Sequence, residues 1–175
     1  MKILGQPYSA AAKAGDFGAY LKTLNFTTWR PSCIVIHHCS EPSLKQRPNG
    51  FMPQHMQNLR EFYESKNWSA GPHLFIDDHA IWTFSPMTAR GVHAVSFNST
   101  AIGIEMLGDY DTEDPWSGRG AHVLSTTAQV VTMLLAKLAL TKSAIVFHRD
   151  DPKTNKTCPG KLIRKDAFLE LVKES

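Results

Sequence analysis

Three short apolar runs constrain the fold of this 175-residue chain more than any other feature. CIVIHHC (33–39), AIGIEML (101–107) and SAIVFH (143–148) are rich in isoleucine and valine and too short for helices. Each predicts a buried strand. Each also ends on, or just before, a side chain capable of chemistry: His37, Glu105 and His148. Side chains placed at strand ends can converge on one edge of a sheet.

The segments between these runs read as helices and one hairpin. Asp16 precedes Phe17, Tyr20, Leu21 and Leu24 at helical spacing, which predicts a short amphipathic helix over 16–24. Pro53 opens a second helix with Met56, Leu59 and Tyr63 on one face. HLFIDDHAIWTF (73–84) predicts a hairpin turning near Asp78 and His79, and GDYDTEDPWSGRG (108–120) a polar loop. Thr126 and Gln129 fit a capping box ahead of Val131, Leu134, Leu135 and Leu138. Phe168, Leu171 and Val172 predict a last helix after Pro159. Strands mixed with helices and a hairpin imply a single-domain α/β protein, with helices packed on a mixed central sheet.

Bulk composition excludes several classes. With 42% apolar and 20% charged residues the chain has an ordinary globular composition. A net charge of +3 is too small to argue for nucleic acid, but it suits an anionic wall polymer. No stretch reads as a membrane span or as a signal peptide, so the expected location is the cytoplasm as synthesised. Three cysteines, Cys33, Cys39 and Cys158, form no disulfide framework and point to reduced thiols or a metal ligand.

The segment FHRDDPKTNKTCPG (147–160) holds an imidazole and a thiol at the ends of a loop too polar to be there for packing. Zinc accepts both ligand types, and a catalytic zinc site has three protein ligands and one open position. His148 and Cys158 supply two ligands. The third is expected from the end of CIVIHHC, where His37 and His38 face opposite ways on a strand, so only one of them can serve.

In this order, IVIHH, GPHLFID, GVHAVSFNSTAIGIEML and FHRDDPKTNKTCPG resemble the motifs of the zinc N-acetylmuramoyl-L-alanine amidases of type 2. That family includes phage lysozyme-amidases, anhydro-muropeptide amidases and peptidoglycan recognition proteins. The resemblance covers about residues 30–165 and leaves 1–29 as an N-terminal helical extension. It implies one Zn2+ per chain on His37, His148 and Cys158, with Lys156 near the scissile carbonyl and Glu105 as the acid/base residue. His93 and Asn98 match polar positions near the substrate. The phage lysozyme branch has a tyrosine where this chain has Pro72, which puts a tyrosine-assisted mechanism out of reach.

The implied activity is hydrolysis of the amide between the lactyl group of N-acetylmuramic acid and L-alanine, by a monomer acting on peptidoglycan or muropeptides. A phage-type endolysin released by a holin fits the lack of an export signal; a muropeptide-recycling amidase is the alternative. A non-catalytic peptidoglycan receptor is disfavoured by Cys158, a polymerase-binding regulator has no visible surface, and the HExxH of other zinc peptidases is absent. Trp116, in the polar loop, is a candidate for stacking on sugar. His38 reads as a core histidine, His55 and His122 as solvated, and His73 as a satisfied buried group. Cys33 and Cys39 read as small apolar side chains, Trp82 as core, and the tail lysines as a solvated helix face.

Overall fold

The computed structural model describes residues 14–173. The element order is α1 (Ala14–Thr23), β1 (Cys33–His38), α2 (Pro53–Ser65), β2 (Leu74–Ile76), β3 (Ile81–Thr83), β4 (Ala101–Met106), α3 (Gly118–Leu138), β5 (Ile145–Phe147) and α4 (Lys165–Leu171). Residues 1–13 of the expected N-terminal extension lie outside the described residues.

The five strands form one sheet in the order β3-β2-β4-β1-β5. β2, β4, β1 and β5 run parallel, and β3 returns antiparallel to β2. The β2–β3 turn is held by the Asp77 carboxylate, which accepts the amides of His79 at 2.7 Å and Ala80 at 2.6 Å. Its other oxygen accepts the Phe51 amide at 2.7 Å, tying the turn to the approach to α2.

Strand alternation divides the sheet into two chemically distinct faces. Paired residues in parallel strands share a face, so Ile34, Ile36, Ile102, Ile104, Ile145 and Phe147 lie together. This is the core face. It is covered by α3, on which α1 and α4 also pack. The opposite face carries Val35, His37, Gly103, Glu105 and Val146. It is covered near β1 by the loop bearing Ala94 and Phe97, and further along it opens into a cleft.

α3 starts earlier than the capping box at Thr126 suggests, at Gly118. A tertiary contact fixes this start. The Arg119 guanidinium forks onto both oxygens of Asp78 at 2.7 Å, and also donates to the carbonyls of Leu44 and Arg47. The Thr127 hydroxyl bonds back to Val123 inside the helix. By length and composition α3 could cross a membrane, but its apolar face is buried in the protein core.

Candidate active site and metal centre

Sheet register assembles the site. His37 on β1 pairs with Glu105 on β4, so the two side chains stand side by side on the cleft face. Ile36 pairs with Phe147, which brings His148, in the turn after β5, level with His37. The loop from His148 then doubles back. The Arg149 amide donates to the Cys158 carbonyl at 2.7 Å, closing the loop so that both of its ends face His37.

Two carboxylates brace this loop. Asp151 accepts the Ser96 hydroxyl at 2.6 Å and the Ser96 amide at 3.0 Å, joining it to the segment that carries His93. Asp111 accepts the Thr157 hydroxyl at 2.6 Å and the Lys161 amide at 2.7 Å. The His38–Asp109–Asp111 cluster is organised by such internal bonds, including the Tyr110 amide donating to Nδ1 of His38 at 3.0 Å. His38 is thus a buried residue bracing the loop after β4.

Nδ1 of His37 lies 3.1 Å from Nδ1 of His148 and 3.7 Å from Sγ of Cys158. The three ligand atoms all fall within 4.8 Å of one another. Burial, the neighbouring imidazoles and the Lys156 charge hold His37 well below the usual histidine value, in the neutral form a metal requires. Burial likewise lowers His148, with Lys156 adding to the effect. Burial raises the Cys158 thiol, and Glu105 adds to that. A cation among these atoms reverses the sign for the thiol, because a coordinating thiol is deprotonated. Two neutral imidazole nitrogens and one sulfur, within reach of a single ion, suit zinc.

Glu105 lines the same cleft, part-exposed to it and surrounded by protein elsewhere. Burial pushes its pKa up to about 8, against a downward pull from Lys156. Lys156 is exposed at the rim, and its charge is felt at His37, His148 and Glu105. The cleft has a volume of about 830 Å³.

His93 and Asn98 line the cleft, but their bonds run into the protein. The Asn98 side-chain oxygen accepts the amides of His93 at 2.7 Å and Ala94 at 2.9 Å, which shapes the loop. Nδ1 of His93 lies 3.0 Å from Nε2 of His37, on the side of that ring away from His148 and Cys158. Trp116 does not line the cleft. Its indole N–H donates to the Leu162 carbonyl at 3.0 Å and Arg164 lies over its ring, so it staples the α3 approach to the chain before α4.

Tyr63 was legible only as an apolar position of α2, yet it faces the cleft together with Trp68. The two rings pack edge to face at 5.1 Å, and Tyr63 also packs on Phe84 at 5.3 Å. Its hydroxyl is raised by burial and then by the charge of Glu105. A phenol therefore does stand near Glu105 despite Pro72, and it comes from a helix instead of the strand entry. No sequence signal separated it from the core positions Met56 and Leu59. Cys39 lines the cleft as well, where a plain packing role was expected.

A model of the family described as N-acetylmuramoyl-L-alanine amidase matches residues 27–161. The chain belongs to the N-acetylmuramoyl-L-alanine amidase family. Solved structures of similar fold include a mutant endolysin from Bacillus subtilis, at 22% identity and TM-score 0.64, covering 82% of this chain and 86% of that one. Another is the endolysin amidase LysCS from Clostridium intestinale, at 25% identity and TM-score 0.64, covering 86% and 94%. Drosophila PGRP-LB aligns at 22% identity and TM-score 0.60, covering 75% of each chain. No curated protein matches the sequence.

Proposed function

We propose that this chain is a zinc-dependent amidase that cleaves the bond between the lactyl group of N-acetylmuramic acid and L-alanine, and that it serves as a phage-type endolysin. One observation carries the reading: His37, His148 and Cys158 present three zinc-compatible ligand atoms within 4.8 Å of one another, in a cleft shared with Glu105 and Lys156. Family membership supplies the substrate class. The lytic role is supported by the similar structures described as endolysins.

His37, His148 and Cys158 would hold the zinc, which when bound would supply Lewis-acid polarisation of the amide carbonyl and a more acidic water. Glu105 accepts a proton from the attacking water as its oxygen adds to the carbonyl carbon. The same carboxyl then delivers that proton to the amide nitrogen as the C–N bond breaks, because an amide nitrogen leaves poorly unless protonated. The products are a free lactyl carboxylate and the amino group of L-alanine. Lys156 places an ammonium beside the developing oxyanion, and a preorganised donor of that kind is worth about 3–4 kcal/mol.

Purified protein should contain one zinc per chain and release new amino groups from a muramoyl-tripeptide. Loss of both signals refutes the reading. Intact sacculi and soluble anhydro-muropeptides, compared as substrates, test the biological role: preference for polymer supports lysis, and preference for the fragment supports recycling.

A further inference from the structure

The hydrogen-bond pattern around His93 determines which nitrogen of His37 is free. Nε2 of His93 lies 3.3 Å from the Ala101 carbonyl oxygen, which can only accept. That nitrogen therefore carries the hydrogen, and Nδ1 of His93 has a bare lone pair. This Nδ1 faces Nε2 of His37 at 3.0 Å, so His37 must donate from Nε2. His37 is left with its lone pair on Nδ1, the atom that faces His148 and Cys158.

The sequence is built to seat the His93 ring. A Cβ on Gly103 would lie 2.5 Å from Cγ and Cδ2 of His93 and 2.7 Å from its Nδ1. Only glycine lets the ring lie this close to β4, a common reason for glycine inside a strand. Gly103 is itself fixed, because its amide donates to Nδ1 of His73 at 2.9 Å. Nε2 of His73 donates to the Ala89 carbonyl at 2.9 Å, and its ring stacks on Trp29 at 5.5 Å. From the other side, Asn98 grips the His93 amide.

We propose that His93 is a positioning residue of the metal centre: it locks His37 in the tautomer whose Nδ1 is open to the metal, and Gly103 is the seat that holds it there. This assigns His93 a role behind the ligand instead of against substrate. It rests on the zinc reading above.

The test compares wild type with His93→Leu, His93→Asn and Gly103→Ala. Zinc affinity is read by chelator competition, and thermal melts in EDTA check folding. Partners that orient a metal-bound histidine typically contribute 10–100-fold in affinity. His93→Leu should lose about that much. His93→Asn, whose Oδ1 can accept from His37 in place of Nδ1, should lose less. Gly103→Ala keeps the imidazole but displaces it, so it should resemble the leucine variant. The double variant His93→Leu with Gly103→Ala should be no worse than the weaker single one.

A second readout needs neither zinc nor a variant: long-range proton–nitrogen NMR of metal-free wild type should show His37 protonated on Nε2. A folded His93→Leu protein with wild-type zinc affinity overturns the proposal, and so does His37 protonated on Nδ1. Wild type that binds no zinc overturns the zinc reading instead, and the NMR result then still decides the tautomer. If His93→Leu fails to fold, Gly103→Ala and the tautomer decide the matter.

Discussion

The two faces of the central sheet obey different rules, although they share the same strands. On the core face, Ile34, Ile36, Ile102, Ile104 and Phe147 are buried against α3, and shape and volume determine what fits. On the cleft face, one residue away along each strand, His37, Gly103 and Glu105 are selected by lone pairs, close approach and charge. His37 and His38 are neighbours in sequence, but the first turns Nδ1 toward His148 and Cys158 and the second braces a loop through the Tyr110 amide. Strand alternation lets one short segment build stability and chemistry together.

The largest expected effect lies on the cleft face. His37→Ala and Cys158→Ser each remove one of three ligand atoms, so zinc content should fall far below one per chain and amidase turnover should disappear. In metal-free melts Cys158→Ser should stay close to wild type, and His37→Ala should fold but lose about 1–3 kcal/mol, because Nδ1 of His93 is left without its donor. Full zinc occupancy in a folded double variant, His148→Ala with Cys158→Ser, would sink the ligand assignment.

Next in size is the chemistry separated from the metal. Glu105→Gln keeps the shape but cannot take a proton, so turnover should drop by roughly 10²–10⁴ with zinc retained. The acidic limb of kcat/KM against pH should vanish with it. Lys156→Ala should also keep zinc and should lower the rate on the plateau, and its acidic limb should persist but move to higher pH, because the downward pull of Lys156 on Glu105 is gone. A Glu105→Gln enzyme with near-wild-type turnover and an intact acidic limb would make the glutamate structural.

Much of this division was legible in the sequence, and the failures have physical causes. The three strands and their terminal residues could be read because apolar β-branched runs carry their own signal. The strand alternation that separates His37 from His38 could be read for the same reason. The start of α3 could not: GRGAHVLS looks like loop, and the helix is fixed there by Arg119 reaching Asp78, 41 residues away. Trp116 and Tyr63 exchanged their expected places for a similar reason. An aromatic residue in a polar loop suggests a binding surface, and one on an apolar helix face suggests core. Which of them reaches the cleft depends on how the elements dock. His93 and Asn98 line the cleft, but their bonds run to His37 and to the loop's own amides, which motif position alone does not reveal.

On the core face the currency is stability. Ile104→Ala opens a cavity between β4 and α3 and should cost about 2–5 kcal/mol in urea unfolding, with zinc affinity preserved in the folded fraction. His38→Ala leaves the buried Tyr110 amide without its acceptor, a cost of about 1–3 kcal/mol, and should keep both zinc and turnover. A His38→Ala variant that loses zinc while His37→Ala keeps it would mean that the two faces have been exchanged.

The smallest effect tests the faces by the sign of a pH slope in metal-free protein. Asp78 anchors the start of α3. Burial works to raise its carboxyl, but the Arg119 fork outweighs burial and holds it below the ordinary value of 3.8. Its contribution is therefore present above about pH 4 and is lost as pH falls through the lowered value. Glu105 on the cleft face has the opposite sign. Its folded value of about 8 exceeds the ordinary 4.5, so between those limits the folded chain holds a proton that the unfolded chain has released. Folding stability from this group falls as pH rises from about 4.5 to about 8, then levels off. Glu105→Gln should therefore gain on wild type steadily across that window. Asp78→Asn should be weaker than wild type at neutral pH, and the gap should close toward pH 3. Urea melts in EDTA at several pH values read both differences. Parallel wild-type and Glu105→Gln curves from about pH 5 to 8 would mean that the cleft keeps this carboxylate solvated, and the contrast between the two faces would then rest on the metal ligands alone.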